Sequence, residues 1–249
     1  MTTATRRVPS ASRRASPSAV RDLALGALPL AAVSSATCWL LGVPTSHVLH
    51  ALGLYLGLAA VVLWRLPWDL PASGIGPANR VTLARVTLVL PVTALALRAG
   101  PLPLLGYWWV LALATVAMVL DGVDGLVARR TGSQGAFGAR FDMEVDALLL
   151  LALSGLLWQS GKAGPWVLLI GALRYLFVLA GAGWPALRQP LPPRSRRKAI
   201  CVVQGVALVA GVAPIVPGGL ATVVAAVALV LLGYSFAVDV WWLAQARSR

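Results

Sequence analysis

Eight apolar runs divide the chain, at 23–41, 46–66, 79–98, 103–128, 136–159, 164–186, 198–214 and 219–243. Each has roughly the length, ~20 residues, that carries a helix across a hydrocarbon core. A backbone in lipid must satisfy its own hydrogen bonds, so such runs fold as helices. The content of 59% hydrophobic residues and the mean hydropathy of +0.81 agree. The chain is predicted to be an all-α integral membrane protein, with the lipid bilayer as its first partner. The seventh run is short and stops at Pro214, and Pro91 is expected to kink the third.

Most of the basic residues behind the net charge of +13 sit between the runs or near their ends. Residues 1–22 hold five arginines and few large apolar residues, and read as a disordered basic cytoplasmic tail. The twin arginines 6–7 and 13–14 precede a long run without a small-residue cleavage site, so a retained first helix is expected. Arg65 and Arg80 flank the Pro/Gly-rich link 67–78, and Arg129, Arg130 and Arg140 flank the link after the fourth run. Arg188, Arg194, Arg196, Arg197 and Lys198 crowd the link before the seventh, and Arg247 and Arg249 lie in the short tail 244–249. The alternate links hold only Arg98 and Lys162. This asymmetry predicts a multi-pass protein of the cell (inner or plasma) membrane with both termini in the cytoplasm. Basic residues placed in this way face anionic lipid, and nucleic acid is not an expected partner.

The acidic residues are concentrated instead. Asp121, Asp124, Asp142, Glu144 and Asp146 are five of the eight in the protein. Asp121 and Asp124 stand i,i+3 at the end of one run, and Asp142 and Asp146 stand i,i+4 at the start of the next. On helices each pair shares a face. The stretch between them holds Gly132 and Gly135 and can reverse the chain. Two antiparallel helices would then bring four carboxylates to one depth. Such a group repels itself unless a cation joins it. Oxygen-only ligands suit a hard ion such as Mg²⁺, Mn²⁺ or Ca²⁺. Glu144 points away from that face. Gly125, Ala128 and Gly138 remove bulk beside the carboxylates, and Arg129 adds a fork suited to phosphate. The plainer alternative is an inter-helix salt-bridge network, which would not require small residues at these places.

This stretch resembles the signature of the CDP-alcohol phosphotransferase (CDP-alcohol phosphatidyltransferase) family, D-x-x-D-G-x-x-A-R, a spacer, then G-x-x-x-D-x-x-x-D. Asp121, Asp124, Gly125, Ala128, Arg129, Gly138, Asp142 and Asp146 meet every fixed position. The resemblance implies a six-helix catalytic core, here residues 79–243, that is usually dimeric and has its site on the cytoplasmic side. Residues 23–66 would be two additional transmembrane helices. It implies Mg²⁺ or Mn²⁺ held by Asp121, Asp124, Asp142 and Asp146. Gly125, Ala128 and Gly138 would let the cytidine part of a CDP-linked donor approach, with Arg129 on its phosphate. The donor would be CDP-diacylglycerol or another CDP-alcohol, the second partner a small alcohol, and the product CMP. Asp146 would take the proton from the acceptor hydroxyl.

Two further stretches extend the likeness. Asn79, Thr82 and Arg85 form N-x-x-T-x-x-R, which in the family helps to line the nucleotide pocket. The plain reading is a helix cap by Asn79 and a snorkelling Arg85. Ser195, Arg197, Lys198 and Gln204 follow the pattern S-x-G-K-x-x-T-x-x-Q, with Arg197 in the glycine position and Cys201 in the threonine position. They would hold an anionic acceptor such as glycerol 3-phosphate or an inositol phosphate, or serve only as a positive-inside anchor. Arg174 lies in the middle of its run and should meet an anion, either a substrate phosphate or a structural partner such as Asp239 or Glu144. Cys38 and Cys201 read as packed thiols, His47 and His50 as interfacial residues. Outside this reading stand a CDP-alcohol donor with a lipid acceptor, a cation transporter and a catalytically silent scaffold. A transporter would need polar groups through both halves of the membrane, and the outer halves of the runs carry almost none.

Overall fold

A computed structural model of the chain describes residues 17–65, 75–131, 135–184 and 195–246. Among them are eight α-helices, a short 3₁₀ turn at Pro165–Val167, and no strand. The helices are α1 (Pro17–Leu41), α2 (Ser46–Arg65), α3 (Pro77–Ala96), α4 (Leu104–Thr131), α5 (Ala136–Gln159), α6 (Leu168–Gly183), α7 (Ser195–Val212) and α8 (Gly218–Ala246). Each apolar run has become one helix. Residues 1–16 of the predicted tail 1–22 and most of the links 67–78 and 187–198 lie outside the described residues.

One boundary needs correction. α1 begins at Pro17, six residues before the predicted start. The charge of Asp22 reads as solvated, yet the residue is only 7% exposed. Its carboxylate accepts from Arg80 Nε at 3.1 Å, Arg80 Nη2 at 3.1 Å and the Ile75 amide at 3.2 Å. These bonds replace the water that would otherwise hold the segment open.

α3 is the hub, packing on α1, α2, α4 and α5. Thirteen of its 20 residues are buried, against four of 20 in α2, which is peripheral. α3 continues through Pro91, and Thr87 and Thr93 return their hydroxyls to carbonyls one turn back. The start of α1 meets the start of α3 through Asp22 and Arg80, and the ends of α3 and α5 meet where Gln159 Nε2 donates to Ala96 O and Arg98 O. Gly171 lets α6 lie against the backbone of Leu151, where any Cβ would overlap. His47, expected at an interface, is instead packed inside with both ring nitrogens unpartnered among the described residues.

Among the described residues, five segments are long and apolar enough to cross a membrane: α1, α2, α4, Pro165–Gly183 and α8 to Gln245. The other three helices are shorter or more interrupted by charge. α3 holds Asn79, Arg80 and Arg85, α5 holds Arg140, Asp142, Glu144 and Asp146, and α7 is apolar only over Ala199–Val212. The chain is an all-α, multi-pass membrane protein.

Candidate functional site

Three helices build the site. α4 carries Asp121 and Asp124 in its C-terminal half, α5 carries Asp142 and Asp146 in its N-terminal half, and α3 supplies Asn79, Thr82 and Arg85 from its first turns. The i,i+3 and i,i+4 spacings put each aspartate pair on the face its helix turns toward α3.

Arg85 is the centre. Its side chain is 1% exposed, and it reaches all four aspartates. Nη1 stands 2.9 Å from Asp121 Oδ1 and 3.1 Å from Asp124 Oδ2, and it also pairs with Asp142. Nη2 pairs with Asp146. Nε donates to the Ala117 carbonyl at 3.1 Å, which fixes the plane of the fork against α4. The snorkelling reading of Arg85 is therefore corrected: the head points inward, to its carboxylates. The signal was present in the sequence, since Arg85 shares a helix face with Thr82 one turn earlier.

The carboxylates differ in depth. Asp124 is the most buried, 7% exposed at its side chain, and accepts from the Thr82 hydroxyl at 3.2 Å as well as from Arg85. Asp121, Asp142 and Asp146 are 36%, 35% and 25% exposed and line open space. These three each offer an oxygen, all within 4.8 Å of one another. Three carboxylate oxygens gathered in this way could hold a hard divalent cation, which takes oxygen ligands. Charge points the same way: one guanidinium faces four carboxylates, so the ionised cluster keeps an excess of negative charge.

The small residues have specific neighbours. A Cβ on Gly138 would stand 2.7 Å from Asn79 Oδ1. Glycine at 138 is what allows the start of α5 to close on Asn79, whose Nδ2 donates to the Ile75 carbonyl at 2.6 Å. A Cβ on Gly125 would meet Arg129 Nη1 at 3.4 Å, so the Arg129 fork lies over bare backbone. Ala128 is half-buried on the same helix.

The remaining predicted residues lie apart from the cluster. Glu144 points away, as expected, and pairs with Arg174, whose Nη1 also touches Met143 Sδ at 2.6 Å. The anion that Arg174 requires is thus supplied by Glu144 from α5. Arg196 reaches Asp239 on α8 at 2.7 Å, and Arg197 Nε lies 4.0 Å from the same carboxylate. The side chains of Ser195 and Lys198 are outside the described part of the structure. Gln204 is fully buried and donates to the Ala228 carbonyl at 2.8 Å. Cys201 stands within electrostatic range of Asp121, Asp142 and Asp146. It thus belongs to the surroundings of the site, although the sequence marks it only as a departure from a pattern.

The CDP-alcohol phosphatidyltransferase family model matches residues 76–238. That span opens at the start of α3, closes within α8 and includes every residue of the cluster, while α1 and α2 precede it. No solved structure matches the chain.

Proposed function

The chain belongs to the CDP-alcohol phosphatidyltransferase family, and on that premise we propose that it transfers a phosphatidyl group from CDP-diacylglycerol to the hydroxyl of a phosphorylated polyol, releasing CMP. The observation that carries this reading is the convergence of Asp121, Asp142 and Asp146 within 4.8 Å at the open end of a membrane bundle. Such a site matches a donor with an anionic pyrophosphate and a lipid tail.

The residues divide the work. Asp121, Asp142 and Asp146 would hold a divalent cation, with Asp124 behind them, anchored by Thr82 and Arg85. A bound cation supplies charge neutralisation for the pyrophosphate. Gly125, Ala128 and Gly138 leave backbone open to the cytidine part, Asn79 and Thr82 border it, and Arg129 takes a phosphate oxygen. Asp146 is the general base. It stands in an ion pair with Arg85, as a carboxylate able to accept a proton. The acceptor oxygen then attacks the phosphorus that bears the diacylglycerol. The bond from that phosphorus to the bridging oxygen of CMP breaks, CMP leaves, and the proton rests on Asp146.

The acceptor assignment rests on charge. Arg174, Arg197 and Lys198, with Ser195, are the groups we assign to its phosphate. An incoming phosphate would compete with Glu144 for Arg174 and with Asp239 for Arg197. The arginines of the site end, among them Arg80, Arg129, Arg130 and Arg140, support a cytoplasmic location for that end under the positive-inside rule. We further propose a homodimer in the cell membrane, as the family resemblance implies. Incubation with CDP-diacylglycerol and either glycerol 3-phosphate or inositol phosphate, followed by mass analysis of the lipid product, tests the acceptor class. A product formed only from an uncharged alcohol would overturn it.

A further inference from the structure

Arg85 presents a difficulty that its neighbours make specific. A guanidinium buried to 1% exposure sits among the same carboxylates that are to hold a divalent cation. Two cations cannot use one set of oxygens without repelling each other. Nη1 carries two hydrogens and faces three carboxylates. It hydrogen-bonds Asp124 and Asp142, while Asp121 is within ion-pair distance only. Among the described residues Asp121 thus has charge contact but no hydrogen bond from the fork, and it is the most exposed of the four. The fork, held by its Nε bond to Ala117 O, hydrogen-bonds the other three carboxylates and leaves Asp121 open to solvent.

We propose that Arg85 is the resident counter-cation of the cluster. It holds the four carboxylates together before a divalent ion arrives, and it competes with that ion for their oxygens. It thereby keeps the affinity of the empty site for the ion low. The pyrophosphate of the donor brings its own anionic oxygens, which relieve that competition, so the ion is held firmly only together with the donor. Arg85 is a positioning residue in this account, acting through the aspartates. The inference rests on reading the cluster as a cation site.

The test is Mn²⁺ binding to the purified full chain in lipid nanodiscs, without nucleotide, measured from the paramagnetic resonance of free Mn²⁺. Arg85→Gln is expected to bind Mn²⁺ about tenfold or more tightly than the wild type, equal to about 1.4 kcal/mol. Arg85→Lys keeps the charge and is expected within about threefold of the wild type. Thermal unfolding supplies a second readout, in which rescue by Mn²⁺ separates a counter-cation from a purely structural role. Arg85→Gln should unfold at a lower temperature than the wild type without Mn²⁺, and saturating Mn²⁺ should close most of that gap. If Arg85→Gln is recovered only when Mn²⁺ is present throughout purification, the proposal is supported. Equal or weaker Mn²⁺ binding by Arg85→Gln overturns it, as does failure to recover the variant with Mn²⁺ present. Absence of Mn²⁺ binding by the wild type and by Arg85→Gln alike would overturn the cation-site reading itself.

Discussion

Thr82 donates its hydroxyl to Asp124 at 3.2 Å, joining α3 to α4 across 42 positions of sequence. Asp124 is the deepest of the four carboxylates, so this bond steadies the floor of the site. Thr82→Val keeps the shape and removes the donor. It is expected to cost about 1–3 kcal/mol of stability, because a buried acceptor loses a partner. It should also weaken metal-dependent binding of the CDP-lipid. Thr82→Ser should restore both. Thermal unfolding and lipid-binding titrations of the two variants check this, and equal behaviour of Val and Ser would remove the hydroxyl from the account.

Asp146 and Asp121 are expected to fail in different ways. Asp146→Asn should lower turnover by about 10²–10⁴-fold, the usual range for loss of a general base. CDP-lipid binding should survive. Joint loss of binding and turnover would argue against the base assignment. Asp121→Asn should instead weaken nucleotide binding in a manner that added Mg²⁺ or Mn²⁺ partly offsets. An unchanged metal dependence would remove Asp121 from the cation site.

Gly138 and Asn79 form a coupled pair. Gly138→Ala places a methyl 2.7 Å from Asn79 Oδ1, so one of them must move. The expected cost is about 1–3 kcal/mol, as for overpacking elsewhere. Asn79→Ala made together with Gly138→Ala should recover part of it. A double-mutant cycle in chemical or thermal unfolding measures the coupling. Strict additivity would mean that the two residues do not meet.

Asp22 tests how the N-terminal helix is held. Asp22→Ala removes the acceptor for Arg80 and for the Ile75 amide. Arg80 is 46% exposed and water will screen it, so the expected cost is about 1–2 kcal/mol rather than that of a fully buried pair. Limited proteolysis should then cut near residue 22 sooner than in the wild type. An unchanged digestion pattern would show that α1 is held by its apolar face alone.

Much of this architecture was legible because membrane helices announce themselves by length and hydropathy. The cluster was legible because its eight fixed residues occupy 26 positions. What escaped were side chains whose partners lie far away in sequence. Asp22 reads as a tail charge because Arg80 is 58 positions distant. Arg85 reads as a snorkelling or pocket-lining residue because its aspartates lie on two other helices. Arg174 does demand an anion, but hydropathy cannot choose between a phosphate and Glu144. In each case local pattern states the need, and only the packing of helices supplies the partner.

The most direct measurement is CMP release by the purified protein in lipid, supplied with CDP-diacylglycerol and Mg²⁺ or Mn²⁺, across a panel of alcohols. The account expects release that requires the metal, is stimulated by a phosphorylated polyol, and is lost in Asp146→Asn. No release with any alcohol, from protein that still binds the CDP-lipid in a metal-dependent way, would contradict it.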